Sequence, residues 1–271
     1  MSGLLQAIRH YLLAVQFFTR VPVTGRLAAW VGFSPQMLRA SAAHFPGVGL
    51  LVGLTAAGVV WACYATLPAG AYQHLVAAAL GTVATVLMTG AFHEDGLADV
   101  ADGLGGSLAR DQALLVMKDS RLGSYGTLAL GLALLCKISL LALLGETLGV
   151  PGVCCALLAA HVVSRFFPLL LIRALPHIGD LAGSKSKPLA GQISGGGLWV
   201  AGTWAAAGLI PLAGTEGLDA VAAVVAAAAL AFGWMWRLFY RRLQGFTGDC
   251  LGATQQVAEI ACYLGLAWSL A

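Results

Sequence analysis

Long apolar runs separated by short polar segments dominate the pattern of the chain. A membrane-spanning helix needs about 20 mainly apolar residues, and seven runs approach that length. They are Phe45–Leu67, Tyr72–Phe92, Gly126–Gly145, Gly152–Ile172, Gly197–Ala213, Ala220–Trp236 and Leu251–Leu270. This pattern predicts an all-α, polytopic integral membrane bundle of about seven transmembrane helices, with residues 1–271 forming a single domain.

The segment 1–44, before the first run, has a different pattern. Its apolar residues recur with helical spacing on one side, at Leu4, Leu5, Ile8, Leu12 and Val15. Such a helix is typical of the membrane interface rather than of a span. A second interfacial helix is predicted to follow Pro35.

Composition supports the membrane assignment. Of the 271 residues, 59% are hydrophobic and 10% are charged, whereas an average soluble domain has about 25% charged residues. The mean hydropathy is +0.84. Disordered and disulfide-rich classes are excluded by the same composition, and none of the six cysteines forms a CxxC pair. The net charge of +3 is too small to indicate a nucleic-acid partner.

The basic residues lie mainly on one side of the predicted spans. Thirteen of the 15 precede the first span or lie between spans two and three, four and five, or six and seven: Arg9, Arg20, Arg26, Arg39, Arg110, Lys118, Arg121, Arg173, Lys185, Lys187, Arg237, Arg241 and Arg242. The alternate connections, near Pro68, Pro151 and Thr215, contain none. The positive-inside rule therefore predicts a cytoplasmic N-terminus and a C-terminus on the opposite side.

Most acidic residues lie on the same side. Eight of the 12 are in or beside the basic connections: Glu94, Asp95, Asp99, Asp102, Asp111, Asp119, Asp180 and Asp249. The outer connections are short and contain only Glu146, Glu216 and Asp219. We therefore expect the working face to be cytoplasmic.

Three acids form a cluster in the segment 89–107, which we expect to continue the second span. Asp95, Asp99 and Asp102 are spaced i, i+4 and i+7, so that on a helix they share one face. Stacked like charges repel each other, and a divalent cation would relieve that repulsion. Oxygen ligands without cysteine suit Mg²⁺. A solvated acidic face is the alternative, although the intervening residues are small or apolar.

Two polar residues flank this cluster. His93 and Glu94 point away from the acid face on a continuous helix. His93 is a candidate for metal ligation or proton transfer, and the alternative is a hydrogen-bonded boundary residue.

The next polar segment, 117–126, is rich in hydrogen-bond donors. Lys118 and Arg121 are candidate ligands of phosphate oxygens, and Ser124 is a further candidate substrate contact. Ordinary anchoring at the inner membrane surface is the alternative, with Asp119 neutralising the two cations.

Polar groups also enter the later spans, where such groups usually pair or line a cavity. Arg165 in span four and Gln256 in span seven are candidate substrate contacts. Asp249 is predicted to join the acid cluster as a metal ligand or a base. Glu259, about 15 Å farther along the helix, is predicted to pair with Lys137 or Arg165.

Acids beside Lys and Arg at a membrane face suggest phosphoryl transfer to or from a nucleotide-activated substrate. The CDP-alcohol phosphotransferase motif opens D-x-x-D-G, as does Asp99–Gly103. Gly106-Ser107 stands where the A-R of that motif should be, and no later G-x-x-x-D-x-x-x-D occurs. An enzyme of that kind remains an alternative. A metal-coupled transporter is less favoured, because its acids should lie near the bilayer midplane rather than at one face.

A more extensive match is to the cobalamin synthase family, the adenosylcobinamide-GDP ribazoletransferases, which the sequence closely resembles. The matching stretches run nearly end to end: FFTRVP (17–22), FPGVG (45–49), TGAFHEDGLADVADG (89–103), MKDSRLGSYG (117–126), HVVSR (161–165) and FTGDCLGATQQ (246–256).

The resemblance implies a Mg²⁺-dependent bacterial inner-membrane enzyme. It would join adenosylcobinamide-GDP to α-ribazole, or to α-ribazole 5′-phosphate, and release GMP. It also implies that Asp95, Asp99 and Asp102 hold the metal while Lys118 and Arg121 bind the departing nucleotide. The proton acceptor is left open between Asp119, Asp249 and His93, as is assembly into a homo-oligomer.

Overall fold

The computed structural model describes residues 3–70, 72–106, 109–179 and 193–271. Over these residues the chain is helical, with one isolated β-bridge between His177 and Phe246. The helices are α1 Gly3–Phe18, α2 Gly25–Val31, α3 Pro35–Ser41, α4 Phe45–Thr66, α5 Gln73–Thr89, α6 Phe92–Gly106, α7 Arg110–Met117, α8 Ser124–Ser164, α9 Phe167–Ala174, α10 Gly195–Arg242 and α11 Gly248–Ser269. Four residues of the polar segments considered in the sequence lie outside the described residues: Ser107, Asp180, Lys185 and Lys187.

Side-chain caps fix where several helices begin. Ser34 accepts a hydrogen bond from the backbone N–H of Met37 at 3.1 Å, at the start of α3. Ser194 does the same for Gly197 at 3.0 Å, at the start of α10. Each cap satisfies a backbone N–H that has no partner within its own helix. The helix predicted after Pro35 is confirmed, because α3 begins at that residue.

The long helix α8 folds back on itself. Lys137 Nζ lies 2.6 Å from Glu259 Oε1, and His161 Nδ1 lies 3.5 Å from Glu259 Oε2. On a straight helix Lys137 and His161 would be about 36 Å apart. The reversal is at Gly149, whose φ of 67° and ψ of −172° interrupt the helix.

The helix α10 reverses in the same way. Gly208 packs against Val162, while the Phe232 ring lies 5.6 Å from the Phe167 ring. A straight helix would separate Gly208 from Phe232 by about 36 Å, far more than the four residues between Val162 and Phe167 can span. The turn is at Gly217, which has a φ of 85° and a ψ of 177°. Both reversals fall where the sequence predicts outer connections.

Helices long and apolar enough to cross a membrane are fewer than the seven predicted spans. Within the part of the chain that the structure describes, three qualify by length and composition, at Pro35–Thr66, Ser124–Ala174 and Gly195–Arg242, and a bent pair, α5 with α6, makes up to four. Two of the three contain the internal reversals described above. The all-helical, apolar character is confirmed, and the count of seven spans remains a prediction.

Close packing between α4 and the second half of α8 depends on glycine. A Cβ atom on Gly49 would lie 2.2 Å from the backbone oxygen of His161, and one on Gly53 would lie 3.1 Å from Leu158 Cα. Their G-x-x-x-G spacing places both glycines on one face, as in closely packed membrane helices. Large apolar side chains remain exposed on the outside of the bundle, among them Leu87, Leu128 and Leu230. This surface fits a lipid bilayer.

The expectation that the acid-bearing segment continues the second span is wrong. α5 and α6 are bent by 90° relative to each other. Gly90 and Ala91, between them, both have left-handed backbone conformations, with φ of 68° and 59°. Two consecutive left-handed residues end the helix and redirect the chain. α6 therefore turns away from α5 across the end of the bundle.

Candidate active site

The acid-bearing helix α6 crosses the start of α11 at very short range. A Cβ on Gly96 would lie 2.8 Å from the backbone oxygen of Asp249, and one on Gly252 would lie 3.3 Å from His93 Cα. Only glycine allows the two backbones to approach this closely. The crossing brings Asp249 to the acids of α6, although more than 140 residues separate them in the sequence.

Asp99 is at the centre of this group of acids. The half-buried Asp99 has its pKa raised to about 7, first by burial and then by the charges of Asp249, Asp95 and Asp102. Asp249, in the first turn of α11, accepts a hydrogen bond from the Thr247 hydroxyl at 3.1 Å. Neighbouring carboxylates resist simultaneous ionisation, and a bound cation would remove that resistance.

Asp102 has a different environment from the other acids. Its Oδ2 accepts a hydrogen bond from the backbone N–H of Gly123 at 2.7 Å, and its Oδ1 accepts one from Gly126 at 2.8 Å. These amides lie at the start of α8, where backbone donors have no partner in their own helix. Asp102 therefore ties α6 to the donor-rich segment. Its predicted role as a metal ligand stays a prediction.

The donor set suits Mg²⁺ held jointly with a substrate. Among the described residues, no three His, Cys, Asp or Glu side chains are arranged as a ready-made metal site. Mg²⁺ usually keeps several waters and binds one or two carboxylates together with substrate phosphates, so a complete protein cage is not required. The exposed Asp95 and the half-buried Asp99 have the oxygen chemistry for this arrangement.

The donor-rich segment borders the acids through the Asp102 contacts. Arg121 Nε donates to both carboxylate oxygens of Asp119 at 3.0 Å. These hydrogen bonds lower the pKa of Asp119 to about 2, so that it is a weak proton acceptor. Lys118 and Ser124 are exposed beside this pair. The segment thus presents cationic and hydroxyl groups next to a cluster of carboxylates.

Two predicted substrate contacts lie inside the bundle instead. Gln256 is 3% exposed and donates from Nε2 to Glu94 Oε1 at 3.1 Å, which links α11 to the buried face of α6. Arg165 is 2% exposed and donates to the His161 backbone oxygen at 2.9 Å. Their predicted contact with substrate stays a prediction; in this structure Gln256 joins α11 to α6, and the Arg165 guanidinium lies 5.7 Å from the centre of the Phe45 ring in α4.

A buried polar network continues from Gln256 into the bundle. Gln256 donates to Gln255 at 2.9 Å, and Gln255 donates to Ser164 at 3.0 Å and to Glu259 at 2.7 Å. The predicted pairing of Glu259 with Lys137 is confirmed by their 2.6 Å contact. Sequence reasoning missed Gln255. Its position within an apolar span was the available signal, because buried amides need partners.

His93 lies on the buried side of α6. It is 2% exposed, and its ring stacks on Phe45 at 5.7 Å between centroids. It therefore points away from the acid face, as the helical spacing predicts, and toward the first helices of the chain.

Comparison with known proteins gives a consistent result. The family model described as cobalamin-5-phosphate synthase matches residues 10–267. A protein of Polaromonas naphthalenivorans (strain CJ2) is 60% identical over 98% of this chain and 100% of its own. A protein of Leptothrix cholodnii is 48% identical over 98% of this chain and 97% of its own. Both are named adenosylcobinamide-GDP ribazoletransferase. No solved structure shows significant similarity.

Proposed function

Because the chain belongs to the cobalamin-5-phosphate synthase family, we propose that it joins adenosylcobinamide-GDP to α-ribazole or α-ribazole 5′-phosphate. The products are adenosylcobalamin, or its 5′-phosphate, and GMP. One structural observation carries the proposal beyond the family name. Asp95, Asp99 and Asp249 converge where α6 crosses α11, beside the cationic segment around Arg121.

The transfer forms one bond and breaks another at the same phosphorus. The 3′-hydroxyl oxygen of the ribazole bonds to the cobinamide-side phosphorus, while the bond from that phosphorus to the oxygen bridging to GMP breaks. The hydroxyl proton goes to a base. Asp249 is the best-supported base of the three candidates, because Asp119 is engaged by Arg121 and His93 faces away from the acids. Lys118 and Arg121 stabilise the negative charge on the departing GMP.

We assign the Mg²⁺ contacts to Asp95 and Asp99, with Asp102 close by as a positioning residue. When bound, Mg²⁺ neutralises diphosphate charge and orients the reacting groups. Removal of divalent ions with a chelator should abolish turnover, and added Mg²⁺ should restore it.

We further propose that seven apolar segments cross the bacterial inner membrane: α4, α5, the two halves of α8, the two halves of α10, and α11. The acid cluster then lies at the cytoplasmic side, where nucleotide-activated substrates are made. The N-terminal helices α1 to α3 lie along the membrane surface at that side.

Product analysis tests the proposed reaction. Detergent-purified protein is incubated with Mg²⁺, adenosylcobinamide-GDP and α-ribazole, and the products are identified by mass spectrometry. The expected result is adenosylcobalamin with one GMP per product. Hydrolysis to adenosylcobinamide phosphate without coupling, or no consumption of α-ribazole, would contradict the proposal.

A further inference from the structure

A groove of about 350 Å³ lies between α6, the start of α8, the end of α10 and α11. Aliphatic side chains make up most of its wall, and Tyr125 and Trp234 add two aromatic rings. Arg242 is the one charged side chain among the described residues of the wall. Ligand pockets in proteins usually measure about 300–1,000 Å³, so that this groove is large enough to hold a ligand.

The groove opens on the outer, apolar surface of the bundle. Leu128, beside the wall residue Ala129 in α8, is 63% exposed. Leu230, one turn before Trp234 in α10, is 76% exposed, and Trp234 itself is 60% exposed. These apolar side chains flank the groove on two helices and form a surface that fits lipid tails. The groove therefore faces the hydrocarbon of the bilayer.

Basic side chains lie at one end of the groove. Arg242 Nη1 donates to the Leu104 backbone oxygen at 3.3 Å, and Arg110 Nε donates to the Leu243 backbone oxygen at 2.7 Å. Both guanidinium groups therefore lie where α6 and α10 end and α7 begins. Asp111 lies 3.8 Å from Arg110 and is 92% exposed, so that water screens the attraction between these two charges.

The end of α10 has the features of a membrane–water interface. Residues 220–248 contain three arginines, among them Arg242, and no acidic residue. The Trp236 and Tyr240 rings stack with 5.6 Å between their centroids. Basic pockets between membrane helices attract anionic lipid headgroups, and Trp and Tyr are enriched at headgroup depth. Because Arg242 also lines the groove, a headgroup held there can place its acyl chain inside the groove.

We propose that this groove binds one anionic phospholipid, with the phosphate on Arg242 and an acyl chain between α6, α8 and α10. The apolar wall matches the chain, and the arginines match the charge of the headgroup. A second copy of the chain is a poorer match. In a two-fold dimer through this face the same surface meets itself, so that the arginines of both copies would come together.

A lipid in this position supports the acid-bearing helix from behind. Leu97, Val100 and Leu104 line the groove and are spaced i, i+3 and i+7, so that they share one face of α6. With 3.6 residues per turn, this face is opposite to the one that carries the acid cluster. The bound lipid should therefore raise the unfolding temperature of the protein. The inference does not depend on the proposed reaction.

Native mass spectrometry of the full chain, released from a non-ionic detergent, measures lipid binding directly. The probes are dioleoylphosphatidylglycerol, which is anionic, dioleoylphosphatidylcholine, which has the same chains without net charge, and glycerol 3-phosphate, which has no chains. One phosphatidylglycerol should bind at least about 5-fold more tightly than phosphatidylcholine, the effect of one arginine near a headgroup. Glycerol 3-phosphate should not bind measurably, because it cannot occupy the apolar groove.

Variants of Arg242 test the headgroup contact. Arg242→Gln should lower the preference for phosphatidylglycerol by about 5-fold, whereas Arg242→Lys, which keeps the positive charge, should retain it. Arg26→Gln is the matched control, since it removes the same charge from an exposed position on α2. Its preference should equal that of the wild type.

A groove-filling variant tests the position of the chain. Ala129→Phe adds a ring to the wall and should weaken the binding of both lipids. It should also abolish the rise in unfolding temperature that phosphatidylglycerol causes in the wild type. Ala207→Phe, the same change at an exposed position in the first half of α10, should alter neither result. This variant decides the question if Arg242→Gln does not fold.

Four results would overturn the inference. They are equal binding of both lipids by the wild type, an unchanged preference in Arg242→Gln, wild-type binding by Ala129→Phe, and binding of glycerol 3-phosphate as tight as that of the lipid. The same spectra report the oligomeric state. A dimer that Ala129→Phe dissociates, with lipid binding unchanged, would assign the groove to a second copy of the chain instead.

Discussion

Asp102 differs from Asp95, its neighbour on the same helix face, in what its carboxylate contacts. Both Asp102 oxygens accept backbone hydrogen bonds from the start of α8, whereas Asp95 is exposed. Asp102→Asn retains one acceptor and loses the other. We expect it to lower the free energy of unfolding by about 1–3 kcal/mol, measured by thermal unfolding in detergent.

Asp95→Asn is the matched control. It removes a charge from an exposed carboxylate, so that it should reduce turnover without lowering the unfolding temperature. Equal unfolding temperatures for the two variants would contradict the role assigned to Asp102.

Helical spacing predicted much of the site at the residue scale. It placed Asp95, Asp99 and Asp102 on one face and His93 on another, because α6 is helical throughout that stretch. It could not reveal that Asp102 accepts hydrogen bonds from Gly123 and Gly126. Those contacts depend on how the chain returns after α7, and spacing within one helix carries no information about that path.

At the scale of elements, the site depends on the close crossing of α6 and α11. Gly96→Ala would place a methyl group 2.8 Å from the Asp249 backbone oxygen and force the helices apart. Because Asp249 would move away from Asp99, we expect turnover to fall by at least about 10-fold, in line with the sensitivity of catalysis to small displacements.

Gly58→Ala provides the control for helix propensity. Gly58 lies in α4, and a Cβ there would meet no atom within 4 Å. Turnover should stay at the wild-type value. A similar loss in both variants would mean that the alanine, rather than the crossing, causes the effect.

The Lys137–Glu259 ion pair joins the first half of α8 to α11, and both side chains are at most 2% exposed. Lys137→Met removes the positive charge that pairs with the buried Glu259 carboxylate. This loss should lower the free energy of unfolding by about 3–5 kcal/mol. Thermal unfolding in detergent measures this loss, and Leu135→Met, at a 61% exposed position on the same helix, should show none. The double variant Lys137→Met with Glu259→Gln removes both charges and should be more stable than Lys137→Met alone. If it is not, the unpaired Glu259 charge is not the cause of the lost stability.

Element boundaries were only partly predictable. The reversals at Gly149 and Gly217 fall between predicted spans, because apolar runs stop there. The 90° bend at Gly90 and Ala91 was not predicted. Apolar periodicity passes through it uninterrupted, and left-handed alanine has no distinctive pattern in sequence.

For the whole molecule, the distribution of charge predicts the orientation. Basic residues gather at the end of the bundle that carries the acids. A reporter fused after Leu243, before α11, should therefore be cytoplasmic, and one fused after Ala271 should be on the other side. The two positions are separated by the single helix α11. Two reporters on the same side would mean that α11 does not cross the membrane.

We propose the carboxylates at the α6–α11 crossing as the centre of ribazole transfer. The most direct test is the turnover of Asp99→Asn at saturating Mg²⁺, compared with Asp111→Asn, the same change at a carboxylate that is 92% exposed on α7. Asp99→Asn should lose at least about 10²-fold in product formation, because charge stabilisation accounts for much of such a barrier. Asp111→Asn should match the wild type. Turnover of Asp99→Asn close to that of Asp111→Asn would contradict the account.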